Sequence, residues 1–98
     1  MNMQAMLKQA QKLQKDMMTA KEEIDKTEYQ GKSEMVTVTF TGAKQLLNVK
    51  LNVEALESDD VEILEDMIVV AVNDALKKID SDTEQKMGKY TQGMPGLF

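Results

Sequence analysis

The chain has 98 residues, a formal net charge of −5, and 42% hydrophobic residues against 4% aromatic, which fits one small domain with an aliphatic, methionine-rich core. It contains no Cys, His, Arg or Trp, which excludes disulfides, thiolate chemistry, the commonest general base and the bidentate anion clamp. No apolar run approaches the roughly 20 residues that span a bilayer, and the start of the chain has no signal-peptide core, so the expected compartment is the cytoplasm.

Residues 2–26 predict a first helix. Its apolar positions follow a heptad, with Met3, Ala10, Met17 and Ile24 at one seam position and Met6, Leu13 and Ala20 at the other. A seam of Met and Ala predicts a soft, adaptable contact without a strongly specified register. Residues 28–33 are short and polar and predict an edge strand. In residues 35–41, Val36, Val38 and Phe40 alternate with Thr37, Thr39 and Thr41. After a turn near Gly42, Leu47, Val49, Leu51 and Val53 alternate with Asn48, Lys50 and Asn52. Two adjacent half-buried strands with a short Gly-containing link make an antiparallel hairpin, and its apolar face needs a helix as cover.

That helix is expected from about Asp59 to the mid-80s. Val61, Leu64, Ile68, Ala71, Ala75 and Ile79 recur every three or four residues. This spacing overrides the β-branched content of Ile68, Val69, Val70 and Val72. Ser58, Asp59 and Asp60 supply an N-cap oxygen and negative charge for the helix start. Within the helix, residues 67–72 are six consecutive apolar residues, which cover every side of a helix. One small core covers one side. The other predicts a second copy of the chain, with Met67, Ile68, Val69, Val70 and Val72 at the interface. The tail, residues 88–98, holds Gly88, Gly93, Pro95 and Gly96, and is expected to leave the helix and be flexible.

The expected architecture is therefore α+β: a two-layer α-β-β-β-α protomer with a three-stranded antiparallel sheet, one domain over residues 1–98, in a tight homodimer.

Little in the chain supports catalysis. Glu62 and Asp66 share a helix face, but acids in a first helical turn chiefly favour the dipole. Asp80, Asp82 and Glu84 imitate the start of a calcium loop, yet Gln85 and Thr91 stand where its glycine and bidentate glutamate belong. A metal-assisted phosphodiesterase using the acidic turn is the poorest of the functional readings. No enzyme, metal, cofactor, membrane or small-molecule substrate is expected.

Charge distribution says more than the net value. Residues 54–84 carry eleven acids and two lysines, a local charge of −9, whereas residues 1–15 carry Lys8, Lys12 and Lys15 and no acid. Those three lysines, four and three apart, form one stripe opposite the Met/Ala seam, flanked by Gln4 and Gln11. A lysine-bearing outer face is common on soluble helices. Here, however, a two-fold dimer would present it twice, as six donors for phosphate oxygens, with the glutamines near base edges. The absence of Arg removes the commonest guanine contact and predicts weak sequence preference. The alternative is a protein–protein adaptor in which Met3, Met6 and Met17 carry the contact and the lysines only solvate.

The stretches 3–14 (MQAMLKQAQKLQ), 36–38 (VTV), 64–78 (LEDMIVVAVNDALKK) and 93–98 (GMPGLF) resemble the YbaB/EbfC nucleoid-associated proteins of bacteria, in order and over essentially the whole chain. The resemblance implies an α-β-β-β-α protomer, a tight tweezer-shaped homodimer and a cytoplasmic, nucleoid-linked role in binding double-stranded DNA and altering its conformation. Lys8 and Lys12 fall on that family's basic first-helix pattern, and Lys77 and Lys78 on its basic pair in the second helix.

Overall fold

Asn2 starts the first helix, its side-chain oxygen accepting the Gln4 N–H at 3.0 Å. In the computed structural model, which describes residues 2–91, helix α1 runs Met3–Lys26. It stops at Thr27, whose N–H and hydroxyl both return to the Glu23 carbonyl, at 3.1 and 2.7 Å. Three strands follow, β1 (Glu28–Lys32), β2 (Val36–Thr41) and β3 (Leu46–Leu51), in an antiparallel sheet of order β1-β2-β3. A 3-10 turn, Ser58–Asp60, leads into helix α2, Val61–Thr91. The α-β-β-β-α order expected from the alternation and periodicity is the order found.

The core lies between α2 and the sheet. Val36, Val38 and Phe40 on β2 meet Ala71, Ala75 and Ile79 on α2, all buried. Small alanines let the helix approach closely, and Gly31 on β1 completes the fit. A Cβ placed on Gly31 would stand 2.0 Å from the Ala71 carbonyl oxygen.

Three expectations need correction. First, α2 does not cover the whole apolar face of the sheet. It packs on β1 and β2 and leaves β3 bare, because a helix about 10–12 Å across spans two strands spaced about 4.8 Å apart, not three. Second, α2 does not end in the mid-80s at Gly88. The helix continues to Thr91, since a single glycine costs only about 1 kcal/mol against alanine in a helix. The remaining expected tail, residues 92–98, lies outside the described residues. Third, the 3-10 turn before α2 is capped by Glu57, and of the three residues expected to cap, it is Asp60 whose carboxylate accepts the Glu57 N–H, at 3.0 Å. The expected turn near Gly42 is found, and its left-handed residue is Lys44, at φ 67. Gly42 is required there for space, because a Cβ on it would sit 1.8 Å from the Ile24 carbonyl oxygen.

Candidate nucleic-acid interface

Helix α1 splits into two halves. Ile24 is buried, and Met17 and Ala20 are half-buried, where α2 packs alongside. Every residue from Asn2 to Asp16 is exposed, so the first half projects from the body of a molecule 71 Å long and 21 Å wide. The Met/Ala seam is thus buried only at its C-terminal end. Met3 and Leu13 are 76% and 53% exposed.

Lys8, Lys12 and Lys15 stand along this projecting half. Among the described residues the ion pairs are Lys21–Asp25, Lys44–Asp80, Lys78–Asp74 and Lys86–Asp82, so none of the three is neutralised there. From Lys8 to Lys15 the helix rises about 10 Å at 1.5 Å per residue, comparable to three phosphates of one DNA strand at about 3.4 Å each. Gln4 and Gln11 are exposed on the same half.

The two lysines expected on α2 behave differently. Lys77 is exposed. Lys78 donates to the Gln30 carbonyl oxygen at 2.9 Å and pairs with Asp74 at 3.2 Å, so its charge is engaged by a neighbour on its own helix and by the edge of β1. Neither joins the α1 stripe. The part of α2 that reaches the arm is Tyr90, which lines an apolar groove with Ala10, Leu13 and Met17. Lys77 lies thirteen residues earlier, about 20 Å away along the helix.

The end of α2 brings a cation that the sequence-derived site omitted. Lys89 Nζ sits 5.0 Å from the centre of the Tyr90 ring, on the turn that packs beside the arm. Its signal in the sequence was the run after Gln85, which holds Lys86 and Lys89 and no acid.

The seven acids of residues 54–66 occupy the opposite end. Asp66 and Tyr90 are separated by about 36 Å of helix, so the charge of residues 54–66 is held away from the α1 stripe. No group of three or more acidic or metal-ligating side chains among the described residues is arranged to hold a metal ion.

A second polar cluster links α2 to β1. The Tyr29 hydroxyl donates to the Asp82 carboxylate, which also pairs with Lys86 at 3.0 Å. Burial, followed by the Asp82 interaction, pushes the Tyr29 hydroxyl up to about 12. The same hydrogen bond, then that of Lys86, holds Asp82 below the usual carboxylate range.

A basic stripe along one helix, held away from the acids of residues 54–66, is the electrostatic footprint that nucleic-acid binding requires. The model of the YbaB/EbfC DNA-binding family matches residues 1–94. The chain belongs to that family. Members called nucleoid-associated proteins include one from Lactococcus lactis subsp. cremoris, 50% identical over 97% of this chain and 98% of its own length. Another, from Enterococcus faecalis, is 44% identical over 98% of this chain and 94% of its own. An uncharacterized Helicobacter pylori protein of known structure superposes with a TM-score of 0.73 over 92% of this chain and 97% of its own, at 21% identity, and so shares the YbaB/EbfC fold. None of these comparisons supports the adaptor reading of α1. No helix among the described residues is long and apolar enough to cross a membrane.

Proposed function

We propose that this chain is a non-enzymatic, nucleoid-associated protein of the cytoplasm that binds double-stranded DNA as a homodimer and uses no cofactor or small-molecule substrate. The observation that carries this is the projecting half of α1, whose Lys8, Lys12 and Lys15 point away from the core without an acidic partner among the described residues. Gln4 and Gln11 supply weaker polar contacts, and Lys77 adds long-range attraction. Lys78, tied to the sheet, contributes less.

Pairing follows from what α2 leaves uncovered. Val49 and Leu51 on β3 lie across from buried Val38 and Val36, yet are 44% and 42% exposed. On α2, Val69 and Val70 are 58% and 47% exposed, whereas Met67, Ile68 and Val72 are half-buried against their own core. A two-fold arrangement of two copies about β3 buries the bare strands and the Val69–Val70 flanks of both α2 helices. Two copies then carry two lysine arms.

Binding without Arg depends on phosphates and DNA shape, so sequence preference is weak. The test is replacement of Lys8, Lys12 and Lys15 together by Gln, followed by binding to unrelated duplexes at low salt. Loss of binding with the fold intact is the expected result. Unchanged binding overturns the proposal.

A further inference from the structure

A three-stranded sheet has two edges, each a row of peptide groups open to another strand. In this molecule the two differ. On β1, the Lys32 N–H faces outward and donates to the Asp74 carboxylate at 3.0 Å, and the Gln30 carbonyl faces outward and accepts from Lys78 Nζ at 2.9 Å. The next N–H, that of Ser33, turns inward to the Val36 carbonyl at 2.8 Å, as strand alternation requires. Asp74 and Lys78 bind each other at 3.2 Å, one helical turn apart. Together they offer β1 an acceptor and a donor on either side of Gly31, which is what a neighbouring strand would offer. They reach the edge because α2 crosses β1 at Gly31 with almost no gap. The outer edge of β3 has no side-chain partner among the described residues, and all six of its residues are exposed.

We infer that the Asp74–Lys78 pair serves as a surrogate strand that closes the β1 edge, so that a second copy joins this sheet only at β3. Each chain then offers one usable edge. Pairing β3 with the β3 of a second copy consumes both edges and stops at two chains. Were β1 also open, copies would add at both edges and build an open-ended ribbon. The Asp74 carboxyl is held below its ordinary range, first by the Lys32 N–H and next by Lys78, so the cap persists at neutral pH. Closure at β3 rests on the dimer proposed above; sealing of β1 does not.

Sedimentation of the full chain over a wide concentration range tests this. The wild type is expected at the mass of two chains. Asp74→Ala with Lys78→Ala is expected to form species larger than two chains that grow with concentration, and its Lys32 amide to exchange hydrogen on the order of tenfold faster, as loss of a bond to a charged acceptor implies. Asp74→Asn with Lys78→Gln keeps an acceptor and a donor without charge and is expected to remain at two chains. A double-alanine variant that stays at two chains overturns the inference, and so does an Asn/Gln variant that assembles like the alanine one. Should the double-alanine variant lose its helical signal, the single Lys78→Ala, which leaves the Asp74–Lys32 bond in place, carries the same comparison. A monomeric wild type sinks pairing at β3, and the inference about β1 then stands or falls on whether the alanine variant gains association over it.

Discussion

Gly31 on β1 and Ala71 on α2 meet backbone to backbone: a Cβ on Gly31 would fall 2.0 Å from the Ala71 carbonyl oxygen and 2.6 Å from the Ala75 nitrogen. Neither atom can move without shifting the helix. Gly31→Ala is therefore expected to destabilise the protein by about 3 kcal/mol, the upper end for overpacking, in urea unfolding. Ala75→Gly should not rescue it, because the closest clash is with the Ala71 backbone. Gly88 is the contrast. A Cβ there meets no atom within 4 Å, so Gly88→Ala is expected to stabilise by about 0.5–1 kcal/mol through helix propensity.

The Tyr29–Asp82–Lys86 cluster gives stability two pH limits. Tyr29 titrates at about 12 when folded against an ordinary 10.0, so its contribution is complete below pH 10 and is lost as pH rises toward 12. Asp82 and Asp74 are held below their ordinary 3.8, so theirs is present above that value and is lost as pH falls through the lowered pKa. Thermal melts across pH should be flat in the neutral range and fall at both ends. Tyr29→Phe should remove the alkaline fall due to this hydroxyl, weaken the acid one and reduce neutral stability by about 1 kcal/mol.

DNA affinity should depend steeply on salt. Six lysines from two arms predict a slope of log K against log salt of about −5, at roughly −0.9 per phosphate. Lys12→Gln removes two of the six and should make the slope shallower by about 2. Lys44→Gln, which breaks an exposed pair with Asp80, should leave it unchanged. Equal effects from the two substitutions would show that net charge, not the α1 stripe, governs binding.

Val70 is 47% exposed and Val49 is 44% exposed in the single chain. Substituting either at the surface of a monomer should alter stability by no more than about 0.5 kcal/mol. If both lie under a second copy, Val70→Asp or Val49→Lys buries an unpaired charge and should shift sedimentation from two chains to one. Retention of the two-chain mass by both variants would exclude this interface.

Elements were legible from the sequence where their periodicity was unambiguous. Val36, Val38 and Phe40 alternate with threonines, and the spacing from Leu64 to Ile79 matches only a helix, so β2 and the core of α2 followed directly. The lysine stripe was legible for the same reason: residues four and three apart share a helix face wherever that helix is placed. Gly88 misled because glycine is a weak helix breaker, and packing beside α1 carries α2 past it. Gly42 marked the β2–β3 turn correctly; that it serves close approach to Ile24, with Lys44 as the left-handed residue, was visible only in the structure.

The sequence alone thus determined which residues share a face, because side-chain period is a local property of the backbone. Only the tertiary structure decided which faces are covered, because coverage depends on the width of a helix against that of a sheet. That geometry left β3 bare, left the first half of α1 projecting, and turned Lys78 from a candidate DNA contact into half of the cap on the β1 edge.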